Sequence, residues 1–136
     1  TDNVIKVSVN AVDDEFRFAA GGDFHADGDV IAKSTTTSSD IKLKTNIVPT
    51  KYGLTDVLKL RGVDFNWKQG AGARDVGLIA QEVQEVIPEL VKEVDTLHSE
   101  NETHLTLDYM KLVPVLIESI KELSAEIETL KKKSGE

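Results

Sequence analysis

From Val4 to about Ser39, apolar and polar positions alternate: Ile5, Val7 and Val9 are separated by polar residues, and Phe16 and Phe18 repeat the pattern. Period two predicts strands with one buried face. Between Ala19 and Val30 the chain is punctuated by Gly21, Gly22, Asp23, Asp27, Gly28 and Asp29, so those strands are short pieces joined by tight turns. Such pieces bury their apolar alternates only against neighbours, either in a meander of one chain or in an intertwined fibre shaft of several. The hydroxyl run from Ser34 to Ser39 closes this zone and reads as an exposed, extended linker.

The period then changes. Leu54, Val57 and Leu58 stand at helical spacing, predicting a helix over 54–60 with Gly62 as its stop, and Val63 to Trp67 alternates as a strand. Gly70-Ala71-Gly72 turns the chain. Within Val76 to Val94, the residues Ile79, Val83, Val86 and Ile87 keep helical register up to a break at Pro88, with the apolar pair Leu90-Val91 beyond it. This stretch predicts a small mixed unit of helices and strands.

From Tyr109 a long helix is predicted through residue 133. Val113, Leu116, Ile120, Leu123, Ile127 and Leu130 are spaced alternately three and four apart, which is the a/d seam of a coiled coil. Glu118, Lys121, Glu122, Glu126, Glu128 and Lys131 occupy the other faces, so an isolated helix would leave an apolar stripe in water. The stripe is satisfied by self-association or by packing back on the domain. Isoleucine recurs at one seam position and leucine at the other, and that mixture does not fix the number of strands.

Composition narrows the partners. The chain has 136 residues, 40% of them hydrophobic and seven of them aromatic, enough for one modest globular domain with extended attachments and stability shared between chains. Acidic residues outnumber basic ones 24 to 16, giving a net charge of −8, which argues against a nucleic-acid groove or an anionic membrane as the main partner. Cysteine is absent, which removes disulfides, a thiolate nucleophile and a cysteine-based zinc site. No apolar run approaches the ~20 residues of a membrane span, and the polar start Thr1-Asp2-Asn3 is unlike a signal peptide. His25, His98 and His104 lack the helical spacing of a metal pair, so no metal site is expected. Gly70-x-Gly72 lacks the strand, the third glycine and the lysine of a phosphate loop.

One segment holds candidate chemistry. In Ser39-Asp40-Ile41-Lys42-Leu43-Lys44-Thr45-Asn46-Ile47 a serine precedes a lysine by five residues, just after the hydroxyl-rich linker. A serine hydroxyl attacks a carbonyl only with a base beside it, and lysine serves when burial or a cationic neighbour such as Lys42 lowers its pKa from ~10.4 to roughly 7–8. The spacing by itself is common and carries little weight.

Context gives it weight. Ser39-Asp40-x-x-Leu43-Lys44-x-Asn46-Ile47 resembles the opening signature of the S74-type peptidases, the intramolecular chaperone domains at the C-termini of phage endosialidases, tail fibres and neck appendages. A second block, Val76-Gly77-Leu78-Ile79-Ala80-Gln81-Glu82-Val83 continuing through Val86-Ile87-Pro88-Glu89-Leu90-Val91, resembles the same family. A third runs through Leu107-Asp108-Tyr109, Leu112 and Ile117 into the closing helix. The resemblance covers about Ser39 to Lys132 in the expected order.

The chain as a whole is expected to be α+β: the alternating pattern gives a β-rich fibre end over 1–38, and the resemblance implies a small chaperone autoprotease domain over 39–136 with a helix over 109–133 in a trimeric coiled-coil-like bundle. The resemblance further implies a homotrimer whose folding client is the β-rich body upstream; the acidic charge and the lack of a membrane-length apolar run add the expectation that neither nucleic acid nor membrane is a partner. By the same resemblance the chain would be part of a virion tail precursor assembled in host cytoplasm, from which the chaperone is released after cleavage. Ser39 would be the nucleophile and Lys44 the base, with Asp40, Asn46, Gln81 and Glu82 in support. Attack of Ser39 Oγ on the Ser38 carbonyl closes a five-membered ring, which favours the Ser38–Ser39 bond. Cutting Ser39–Asp40 would need a nucleophile from elsewhere. No cofactor is expected; nucleotide has been associated with some family members, but no nucleotide site is visible in the sequence. The alternative is a trimerisation cap or adhesin tip that never cuts.

Overall fold

The computed structural model describes residues 5–7, 16–18, 21–26, 29–68, 72–96 and 99–135. Its described residues fall into two compact units, one within 1–47 and 94–104, the other within 48–93 and 105–136. In the first, the alternating zone forms strands β1 (Ile5–Val7), β2 (Phe16–Phe18) and β3 (Phe24–Ala26), antiparallel in the order β1-β2-β3. The register sets Phe18 opposite both Ile5 and Phe24, and the Phe18 and Phe24 rings lie 5.1 Å apart. Gly22, at φ 88°, supplies the left-handed residue of the turn between β2 and β3. Val4 and Val9 lie outside the described residues. Residues 31–40 run exposed without helix or strand, as the hydroxyl-rich composition predicts.

The second unit contains α1 (Leu54–Val57), the antiparallel pair β4 (Val63–Asn66) and β5 (Arg74–Gly77), and α2 (Ala80–Val86). A 3₁₀ turn (Pro88–Leu90) leads into β6 (Val91–Thr96), which pairs with β7 (Ser99–Leu107). A second 3₁₀ turn (Tyr109–Lys111) opens α3 (Leu112–Ser134). The far end of the β6–β7 pair, residues 94–104, groups with the first unit.

The core of this unit is small. Val83 and Ile87, one helical turn apart, are 1% and 0% exposed, and they join Leu90 and Val115 as its buried apolar residues. Tyr52, Val57, Leu60, Leu78, Leu107 and Leu112 pack around them. Each fully buried aliphatic side chain contributes about 1.5–3 kcal/mol of transfer free energy, so few such positions leave little margin.

One helical expectation ends early and the other ends at its expected break. The first helix stops at Val57 because Lys59 and Leu60 donate to Asp56 and Val57, three residues back, which tightens the chain into a turn before Gly62. The second stops before Pro88, which lacks the N–H a helix needs, and Val91 to Val94 belong to a strand. The β6–β7 pair has no counterpart in the sequence reading, because β7 begins Ser-Glu-Asn-Glu-Thr-His and shows no apolar alternation until Leu105 and Leu107.

The long helix forms as expected, ended by Gly135 at φ 78°, whose N–H returns to the Lys131 carbonyl. It meets its own domain along a row the sequence reading did not choose. Leu112 packs on the core, and Val115 and Ser119 are buried. Ser119 Oγ donates to the Val115 carbonyl at 2.8 Å, which removes the cost of burying a hydroxyl. Glu122 continues the row: its carboxylate accepts the Leu54 N–H at 2.9 Å, and a Cβ at Gly53 would occupy the carboxylate's place. Val113, Leu116, Ile120, Leu123, Ile127 and Leu130 face elsewhere and are all exposed, Ile120 by 66%. Among the described residues the seam is therefore left exposed.

Gly77 shows how closely this unit is fitted. Tyr109 Oη accepts the Leu78 N–H at 2.8 Å, and a Cβ built on Gly77 would lie 2.6 Å from that hydroxyl. Gly77→Ala must therefore displace the tyrosine or lose the bond. The expected cost is about 1–3 kcal/mol, read as a lowered denaturant midpoint at unchanged slope; an unchanged midpoint would mean that the contact is slack.

Candidate active site

Ser39 is the last residue of the hydroxyl run, and the chain bends directly after it. Asp40 is extended (φ −61°, ψ 137°) and its Oδ1 accepts the Lys42 N–H at 2.9 Å, capping a 3₁₀ turn over Ile41–Leu43. Leu43 N–H donates to the Asp40 carbonyl and Lys44 N–H to the Ile41 carbonyl, both at 3.1 Å. The chain then leaves extended at Lys44 (φ −123°, ψ 150°). This single turn returns the lysine toward the serine, and Lys44 Nζ donates to Ser39 Oγ at 2.7 Å. That distance lies within the range expected of a nucleophile and its base.

The neighbourhood is open. Ser39, Asp40 and Lys44 are exposed, and the apolar side chains of Ile41 and Leu43 beside them stand in water, at 70% and 71% exposure. Asn46 is left-handed at φ 51°, the one non-glycine residue with positive φ among the described residues, a conformation that asparagine tolerates better than most. It redirects the chain two residues after Lys44. The observed contact of the Asp40 carboxylate is with backbone, not with a lysine.

Gln81 and Glu82 lie on α2, in the other unit. Gln81 is exposed. Glu82 takes a two-pronged hydrogen bond from Arg61, through Nε at 3.3 Å and through Nη2. That guanidinium holds the Glu82 carboxyl below the usual carboxylate range, mainly by hydrogen bonding and to a lesser degree by charge, against an opposing effect of burial that exceeds the charge but not the hydrogen bond. Arg61 is 21 residues away in sequence and nothing in the sequence pairs the two. Elsewhere in that unit, Glu89 accepts from Tyr52 Oη at 2.5 Å and pairs with Lys51 at 3.2 Å, and the Tyr52 bond lowers its pKa. The capping role of Asp40 was not foreseen, although Asp immediately before a short turn is the signal that could have found it.

The weaker candidates are scattered. His25 is in β3 and His104 in β7, and His98 lies outside the described residues. Gly70 and Ala71 lie outside them too; Gly72, at φ 65°, turns the chain into β5 while its carbonyl accepts from Asn66 Nδ2 at 2.6 Å. Among the described residues no helix is long and apolar enough to cross a membrane.

Residues 39–92 match the family model of the chaperone of endosialidase, Peptidase S74, whose matched segment begins at the nucleophile candidate and holds both Lys44 and the second signature block. The long tail fiber protein Gp37 of Enterobacteria phage T2 is 32% identical over 136 residues, covering 97% of this chain and 10% of that protein. Its counterpart in Enterobacteria phage K3 is 33% identical over 122 residues, covering 87% of this chain and 10% of that protein. The chain thus spans about a tenth of the length of these curated relatives. The segment that carries Ser39 and Lys44 is thus similar to the chaperone-of-endosialidase family, the S74 peptidases, and the chain is similar to part of the phage long tail fibre proteins.

Proposed function

We propose that this chain is the intramolecular chaperone of a phage tail fibre, a homotrimer that folds the β-rich body upstream and then frees itself by one cut at Ser39. The observation that carries this reading is the 2.7 Å contact between Lys44 Nζ and Ser39 Oγ, inside the segment that matches the family model. Residues 1–38 are the end of the client and 39–136 the chaperone. The protein would act as part of a virion tail precursor, a setting drawn from its tail-fibre relatives.

In the reaction, the neutral Lys44 amine takes the proton from Ser39 Oγ as that oxygen attacks the Ser38 carbonyl carbon. The resulting five-membered ring collapses with loss of the Ser39 nitrogen, which receives the proton from Lys44. Ser38 is then joined to Ser39 through an ester. Water adds to the ester, leaving a carboxylate on Ser38 and restoring the Ser39 hydroxyl. The chemistry needs no metal or cofactor, only a base at hydrogen-bond distance and a carbonyl within reach.

Assembly supplies the missing condition. In the single chain the pair is open to water, and the exposed Ile41 and Leu43 beside it are apolar surface that association can cover. Covering them removes water from the lysine and favours its uncharged, proton-accepting form. The exposed seam of α3 brings the chains together, and Glu126 and Lys131 flank it at the g and e positions that pair across parallel coiled-coil helices. Cleavage then follows folding of the client.

Intact mass of the purified chain tests the reading. A split into residues 1–38 and 39–136 that Ser39→Ala abolishes is the expected result. A wild-type trimer that stays whole would make the chain a trimerisation cap without enzymatic activity.

A further inference from the structure

Lys44 follows Ser39 by five positions, and an extended chain of that length spans about 16 Å, farther than a lysine side chain reaches. The pair exists because residues 41–43 are wound into a 3₁₀ turn. That turn has little else to hold it. No residue in it is buried, two backbone hydrogen bonds close it, and a turn this short gains nothing from helical cooperativity. The remaining hold is the Asp40 carboxylate on the Lys42 N–H at 2.9 Å, a donor that the turn itself leaves without a partner.

We infer that Asp40 is a positioning residue for the Ser39–Lys44 pair, acting through the backbone of the 3₁₀ turn rather than through its charge on the lysine. The inference rests on the proposed self-cleavage and assigns Asp40 its part in it. A carboxylate paired with Lys44 would favour the ammonium form, which cannot accept a proton. Engaging the carboxylate with the Lys42 N–H instead lets an acidic residue stand beside the nucleophile while serving geometry.

Capping and charge separate experimentally, because Asn and Ser cap almost as well as Asp and carry no charge. In the assembled chain, Asp40→Asn and Asp40→Ser are expected to cleave within about threefold of wild type, and Asp40→Ala about three- to thirtyfold more slowly, the range that a lost cap implies. The pH midpoint of cleavage should be the same in all four proteins. An Asn variant as slow as the Ala variant, or a midpoint displaced in the Asn variant alone, would overturn the inference. A second measurement does not depend on cleavage. In the uncut Ser39→Ala chain, the amide-to-Hα couplings of residues 41–43 should stay small with Asp, Asn or Ser at position 40 and rise with Ala. Unchanged couplings in the Ala variant overturn the role of Asp40, whereas small couplings in a wild-type chain that never cuts overturn self-cleavage alone.

Discussion

Replacing Lys44 with alanine is expected to slow self-cleavage by about 10²–10⁴-fold, the usual worth of a positioned general base, without loosening the assembly. The serine hydroxyl cannot be a useful nucleophile at neutral pH unless its proton is taken as it attacks, and Lys44 Nζ at 2.7 Å is placed to take it. Lys44→Arg sharpens the test. Arginine keeps the charge and comparable reach, but its guanidinium stays protonated at any working pH and cannot act as a base. Arginine should therefore be as inactive as alanine. If the arginine variant cut at the wild-type rate, Lys44 would be contributing charge or structure and the Ser-Lys mechanism would be wrong. The readout is the time course of intact mass on assembled protein.

A charge in the α3 seam is expected to remove both assembly and cleavage. Ile120 is 66% exposed in the single chain and makes no part of the core, so Ile120→Asp should leave the fold of the chain intact, with helical circular dichroism retained. In the trimer each chain would carry an unpaired carboxylate into an apolar seam. That costs several kcal/mol per site besides the roughly 1.5–3 kcal/mol of lost isoleucine burial. Dissociation should strengthen by well over a hundredfold, measured by light scattering, and the monomer should remain uncut. Val115→Asp, on the row that meets the domain, should instead unfold the second unit, since Val115 is 3% exposed. A monomeric Ile120→Asp chain that still cuts would break the link between assembly and chemistry.

How much of this was readable from sequence depends on the kind of contact. The seam of α3 was legible because six apolar residues repeat without interruption, and so was the break at Pro88, which follows from a missing N–H. The strands β2 and β3 followed from Phe16, Phe18 and the glycines between. What sequence did not disclose are contacts that close through space. The row Leu112, Val115, Ser119 lies beside the seam on the same helix, and only the position of the core decides which of two neighbouring faces is buried. The bond from Glu122 to Leu54 N–H and the pairing of Arg61 with Glu82 join residues far apart in the chain with no local pattern to announce them. β7 was invisible because its polar start hides the period that marks a strand. At the site the balance was reversed. Ser39 and Lys44 were named from a motif whose spacing means little alone, and the turn capped by Asp40 gives the physical reason for five residues: it returns the lysine to the serine.

Trimeric assembly is expected to switch on a cut before Ser39. The most direct test separates the expressed chain by oligomeric state, then denatures and weighs each fraction. The trimer fraction should contain one fragment ending at Ser38 and one beginning at Ser39, any monomer should be whole, and so should a Ser39→Ala trimer. Cut chains in the monomer fraction, or a cut that survives Ser39→Ala, would contradict that expectation.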